Sequence, residues 1–136
     1  MPVQKQTPQI QNEAVLGMYE DYARGDIAAL LEKMHPDIQW IEPKGHPYAG
    51  KHAGRDAVKT EVFAPIAVDW EGFQAVPIKT VWQGNNVVCL GMFTGTCRRT
   101  GKRLDAAFAH VFTLDGGKLL RFRDFTDTEA FREAMS

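Results

Sequence analysis

Two rhythms of apolar and polar positions divide this chain, a helical one in its first half and a strand-like one in its second. Residues 10–24 place Ile10, Ala14, Met18 and Tyr22 four apart, with Val15 beside them, which is the spacing of an amphipathic helix. Gly25 stops that helix. Asp26 caps a second, shorter one that runs through Met34, with Ile27, Leu30, Leu31 and Met34 on its inner side, and His35-Pro36 ends it. In residues 37–42, Ile38, Trp40 and Glu42 share one parity, so this segment reads as a short strand. The glycine- and proline-rich stretch 43–54 reads as a loop, and residues 55–66 as a helix that Pro65 ends or kinks. Four apolar or alternating runs follow at 73–83, 87–98, 103–114 and 118–126. Their connections, Gly84-Asn85-Asn86, Thr100-Gly101-Lys102 and Asp115-Gly116-Gly117, are hairpin signals, so the runs form an antiparallel meander. Asp127 then caps a short terminal helix.

The order helix, helix, strand, helix, meander predicts an α+β fold. A sheet of this kind buries one face under its helices. With only about three helices available, it must curl around them, and a curled sheet with helices at its mouth makes a pocket. Residues 1–9 carry two prolines and no pattern and read as a loose arm, leaving residues 10–136 as a single domain. At 136 residues and 44% apolar content the chain can close one core. A net charge of −1 offers no field to draw in nucleic acid or an anionic membrane. No run of eighteen apolar residues is present, and the first fourteen lack the apolar stretch of a signal peptide, so the expected location is cytoplasmic. Cys89 and Cys97 on one straight strand would lie roughly 26 Å apart and are read as free thiols.

Three titratable residues stand on strands whose other inward positions are apolar: Glu42, His110 and Asp124. A three-residue turn at 115–117 would pair Leu114 with Lys118 and place His110 and Asp124 on one face, one diagonal apart. Burial among Phe108, Phe112 and Phe122 would raise the pKa of a carboxyl group and suit it to moving a proton next to a carbonyl, and a histidine beside it could donate to the developing enolate oxygen. No metal or cofactor is needed for such a step. Met18, Tyr22, Trp40, Tyr48 and Phe93 join the three phenylalanines as expected walls of a pocket for a small apolar molecule. Two other readings stay open: His110 and Asp124 as a mutually satisfied buried pair, and Glu42 as a solvated strand end. His46-Pro47-Tyr48 reads as a lid or a plain turn, and the basic tip 98–103 as a solvated hairpin end.

Several stretches resemble a known family. His35-Pro36-Asp37-Ile38-Gln39-Trp40 with Pro47-Tyr48-Ala49-Gly50 and Gly54 is similar to the first strand and glycine-rich loop of SnoaL-like proteins in the NTF2-like superfamily. So are the run from Phe108 to Lys118 and the run from Arg121 to Asp127. The resemblance spans about residues 10–135. It implies a curved sheet wrapped into a cone with three helices, dimeric through its outer face. In the SnoaL-type cyclases an aspartate on the last strand is the acid/base of an aldol ring closure and a histidine on the preceding strand holds the substrate; Asp124 and His110 match them. Ketosteroid isomerases share the scaffold, and Glu42-Pro43 matches the place of their catalytic aspartate. Their oxyanion donors, a tyrosine and a protonated aspartic acid, correspond to Met18 and Ala109 here, so those donors are missing. Tyr19, one residue on, is turned by about 100° around the helix. The resemblance therefore implies cyclase, isomerase or dehydratase chemistry, with a non-catalytic binding or adapter module as the alternative.

Overall fold

The computed structural model describes residues 8–136; most of the arm expected at 1–9 lies outside the described residues, and Pro8 already opens a helix. That helix, α1 (Pro8–Ala23), is followed by α2 (Ile27–Glu32), β1 (Met34–Glu42), β2 (Gly50–Ala53), α3 (Arg55–Val58), a π-helical turn (Lys59–Phe63) and α4 (Ala64–Asp69). The strands β3 (Trp70–Gln83), β4 (Asn86–Cys97), β5 (Arg103–Asp115) and β6 (Lys118–Thr126) and the helix α5 (Thr128–Met135) complete the chain. The fold is α+β, as the pattern predicts.

Local chemistry accounts for the boundaries. Asp26 and Asp127 accept from the backbone N–H of Ala29 and Ala130, capping α2 and α5. Pro65 does not end its helix. It sits in the first turn of α4, directly after the π turn, where the widened ladder accommodates a residue with no N–H to give. His35-Pro36 lies inside β1, at an irregular stretch of its pairing with β6, where a missing donor costs no ladder bond. The glycine-rich loop contains β2, whose residues Gly50–Ala53 pair antiparallel with β1. The basic tip is not simply solvated: Arg99 and Lys102 donate to the backbone oxygens of Met135 and Ser136, and the Thr100 hydroxyl to that of Ala134. These groups satisfy carbonyls at the end of α5 that its own ladder leaves free.

One six-stranded sheet runs in the order β2-β1-β6-β5-β4-β3, with β1 parallel to β6 and every other pair antiparallel. The turn between β5 and β6 is two residues, Gly116 and Gly117, at φ 57° and 80°, a geometry open to glycine at no steric cost. Asp115 therefore pairs with Lys118 and Leu114 with Leu119, but Thr113 pairs with Arg121, so Leu120 is extruded as a bulge. A two-residue turn alone would have sent His110 and Asp124 to opposite faces. The bulge restores their parity and sets them directly opposite each other, not diagonal as a three-residue turn would have it.

The core lies between the inner sheet face and the helices. On α1 the inward stripe is Gln11, Val15, Met18, Tyr19 and Tyr22, while Ile10 is 48% exposed. The helix is thus rotated from the stripe its apolar spacing suggests, and the rotation carries Tyr19 inside. Cys89 and Cys97 are free thiols. Among the described residues no helix is long and apolar enough to cross a membrane.

Candidate functional site

A cavity opens between α1, the π turn and the inner face of the sheet. It encloses about 620 Å³ of atom-free space, the part open to solvent included. Met18, Tyr22, Trp40, Phe93, Phe112 and Phe122 form much of its wall, and Trp40 stacks on Phe122 at 3.7 Å between ring centroids. Two expected wall residues stand elsewhere. Phe108 lies behind His110, stacked on its ring at 3.7 Å. Tyr48 is turned away, its hydroxyl donating to Asp69 at 2.8 Å and accepting from the Trp70 indole at 3.0 Å.

The polar groups gather at one end. Glu42 and His110 face the cavity, and so does His46, from the turn after β1. Asp124 lies one layer deeper, its side chain fully enclosed. Parity along β1 and β6, together with the register that sets Trp40 beside Phe122, brings Glu42 and Asp124 into one cluster. The strand end does not leave Glu42 solvated: it is 6% exposed and takes a 3.0 Å hydrogen bond from the Trp40 indole on Oε2.

Distances order the cluster. His110 Nδ1 shares a 2.7 Å hydrogen bond with the Tyr19 hydroxyl, and His110 Nε2 stands 3.2 Å from Asp124 Oδ1. His46 Nε2 is 3.9 Å from Asp124 Oδ2 and 3.7 Å from Glu42 Oε1. Glu42 Oε1, His110 Nε2 and both Asp124 oxygens are buried without a hydrogen-bond partner among the described residues. The His110–Asp124 approach is therefore close but misaligned. Four such atoms in one place is not how a structural pair ends up, since a buried polar group left unpaired costs about 1–3 kcal/mol.

Electrostatics sets the proton inventory. Burial first, and then the charge of Asp124, push the Glu42 carboxyl well above the usual carboxylate range. Burial holds the His46 imidazole down to about 4, against the opposing pull of Asp124. Burial also lowers His110, again opposed by Asp124, and pushes the Tyr19 hydroxyl far up. The cluster is thus composed largely of neutral donors around Asp124. Glu42, His46 and Asp124 place one ligand-capable atom each within 4.8 Å of one another, a spacing a cation site would use. His46 does not suit that role. The Tyr48 backbone N–H donates to its Nδ1 at 3.1 Å, so the proton of the neutral ring sits on Nε2 and no lone pair faces the carboxylates.

Glu42, His110 and Asp124 are the residues that sequence reasoning singled out. His46 and Tyr19 are the ones it passed over. His46 was legible only as part of a lid, because its inward aim depends on two successive turns, His46 N–H to the Pro43 carbonyl and Ala49 N–H to the His46 carbonyl, both 3.1 Å.

The SnoaL-like domain family matches residues 15–122. The crystal structure of an NTF2-like protein from Burkholderia thailandensis superposes with a TM-score of 0.88 at 33% identity, covering 93% of this chain and 97% of that one. TerC, co-crystallised with polyporic acid, superposes at 0.85 with 32% identity, covering 93% and 98%. An uncharacterised protein of Mycobacterium tuberculosis is 28% identical over 114 residues, 84% of this chain and 86% of its own length. The sheet order, the inward cluster and these similarities agree: the chain belongs to the SnoaL-like domain family and has the NTF2-like fold.

Proposed function

We propose that this protein is a cofactor-free acid/base enzyme that moves a proton next to the carbonyl of a small apolar molecule, in a cyclisation, isomerisation or dehydration. The observation that carries this reading is the set of unpartnered buried atoms at the closed end of an apolar cavity. Two carboxyl groups held together so that one keeps its proton while the other carries the charge form a unit that can both give and take a proton near neutral pH. Glu42 faces the ligand, Asp124 lies behind it, and His110, tied to Tyr19, stands 3.2 Å from Asp124. The co-crystallisation of polyporic acid with TerC supports a small-molecule ligand for a pocket of this fold.

The test needs no knowledge of the natural substrate. Enolisable aryl ketones are incubated in D2O with the protein, and loss of the α-proton signal is followed by NMR. Exchange should run on the order of 10²-fold or more above buffer. It should fall to background in Glu42→Gln and in Asp124→Asn. Polyporic acid binding, read by quenching of Trp40, is measured alongside. Binding without accelerated exchange would move the protein to the second reading, a ligand-binding module, which the apolar and aromatic lining of the cavity favours.

A further inference from the structure

His46 was not required by the reading above, yet it lines the ligand space beside Glu42 and His110. Its side chain is only 3% exposed. Its ring rests on Phe131 at 4.8 Å and Tyr48 at 5.5 Å between centroids. Its backbone is held on both sides by the two turns that begin at Pro43 and end at Ala49. A second layer fixes that segment: His52 Nε2 lies 2.8 Å from the Tyr48 carbonyl oxygen and His52 Nδ1 2.7 Å from Glu61 on the π turn. The Tyr48 N–H bond to Nδ1 leaves the ring proton on Nε2, pointing at the carboxyl pair.

Nε2 reaches neither carboxyl. At 3.7 Å from Glu42 Oε1 and 3.9 Å from Asp124 Oδ2, it stands beyond hydrogen-bond length from both. Those two oxygens are themselves without partners. The Nε2 donor and the carboxyl pair thus frame a gap that His46 does not close. An oxygen atom about 2.9 Å from Nε2 would satisfy the donor and still leave room for the neighbouring carbon to face Glu42.

We propose that His46 is a catalytic residue of this pocket, a neutral imidazole whose Nε2–H binds the carbonyl oxygen of the ligand and the enolate oxygen it becomes. The inference rests on the acid/base reading of the Glu42–Asp124 pair. In the step, the C–H bond next to the carbonyl breaks and its proton goes to Glu42, which passes the proton it held to Asp124. The electron pair forms the carbon–carbon double bond, and the carbonyl π pair moves onto oxygen. The negative charge then sits on an atom that already accepts from His46. The pair returns the proton to carbon or to a leaving oxygen, and the inventory is restored. A neutral donor suits this task, because a charged imidazolium would give its proton to the enolate instead of holding it. The low value of His46 keeps it neutral across the ordinary pH range.

A phenol mimics the enol: its oxygen occupies the same place and its proton has the same destination. The probe is 4-nitrophenol, whose ionised form is seen by its visible absorbance, with nitrobenzene as the control that lacks the oxygen. Binding is measured at about pH 6 to the wild type, to His46→Phe, which keeps a ring against Phe131, and to His46→Gln, which keeps a neutral N–H. Wild type should bind 4-nitrophenol and show phenolate absorbance in the complex. His46→Phe should bind it at least tenfold more weakly and lose that absorbance, His46→Gln should stay within about threefold, and nitrobenzene should not distinguish the three. Equal 4-nitrophenol binding by wild type and His46→Phe would overturn the proposal. So would a matching loss for nitrobenzene, which would make His46 a packing residue, or no 4-nitrophenol binding by wild type. If Glu42→Gln loses isotope exchange while His46→Phe binds 4-nitrophenol normally, only the role of His46 fails. If exchange never exceeds buffer but phenol binding depends on His46, the oxygen site stands and the enzyme reading fails.

Discussion

Replacing one neutral-held group at a time should change how stability depends on pH, and the structure gives the sign for each. The ordinary value of Glu42 is 4.5 and its folded value lies well above it; that of His46 is 6.5 and its folded value is about 4. Above pH 4.5 the unfolded chain therefore ionises Glu42 where the folded chain still holds its proton, and between about pH 4 and 6.5 it protonates His46 where the folded chain leaves it neutral. For His46 the unfolded state binds the extra proton, so its contribution to stability is complete above about pH 6.5 and is lost as pH falls through the window. For Glu42 the folded state binds the extra proton, so its contribution is present at low pH and is lost as pH rises above 4.5. Near pH 5.5 His46 gives a slope of about 1.2 kcal/mol per pH unit, and Glu42 a slope of opposite sign. Glu42→Gln removes the falling slope, so its stability should climb with pH more steeply than wild type. His46→Phe removes the rising slope and should be shallower by about 1.2 kcal/mol per unit. Urea unfolding followed by tryptophan fluorescence at pH 5.0, 5.5 and 6.0 reads these slopes, with equal m-values as the check on two-state behaviour. Parallel slopes in the three proteins would refute the assignment of the protons. The reverse order would place the charge on Glu42 in the folded state.

Two further outcomes follow from packing. A Cβ added at Gly91 would lie 2.3 Å from both Phe108 Cζ and the Val76 carbonyl oxygen. Gly91→Ala should therefore cost about 1–3 kcal/mol, displace Phe108 from the His110 ring and weaken ligand binding; an unchanged urea midpoint would contradict the close approach. The outer face of β3, β4 and β6 exposes Val76, Val81, Leu90 and Phe125, and we propose that a second copy of this chain covers it. Sedimentation equilibrium should show a dimer that Leu90→Lys dissociates, and a monomeric wild type would end that proposal.

Much of the fold was legible because its signals are local. Turn glycines, cap aspartates and apolar alternation fix where β3 to β6 begin and end, and those rules act over a few residues. The register of His110 with Asp124 was not legible. It depends on a two-residue turn compensated by a bulge at Leu120, and neither half of that compensation has a sequence signature of its own. The inner stripe of α1 was misjudged for a related reason. Apolar spacing favours Ile10, whereas packing against the sheet selects Gln11 and Tyr19, because His110 offers the Tyr19 hydroxyl a partner that only the folded sheet provides. β2 was hidden because its four residues, Gly50-Lys51-His52-Ala53, carry no apolar alternation, and they become a strand only when β1 is there to pair with them.

The division between strand-borne and loop-borne groups carries a consequence for the chemistry. Glu42, His110 and Asp124 stand on three adjacent strands, β1, β5 and β6, where pairing fixes them relative to one another. The carboxyl pair is thus a property of the scaffold. His46 is not: it reaches the same point from a seven-residue connection, 43–49, held by short turns and by His52. Connections of this kind change length and sequence far more readily than paired strands do. A scaffold that fixes the proton-moving pair and leaves the oxygen donor to a loop can keep one acid/base step while changing the carbonyl it acts on. The single fold can then serve ring closure, isomerisation and dehydration, with the choice made by the loop and the aromatic wall and not by the carboxyl groups.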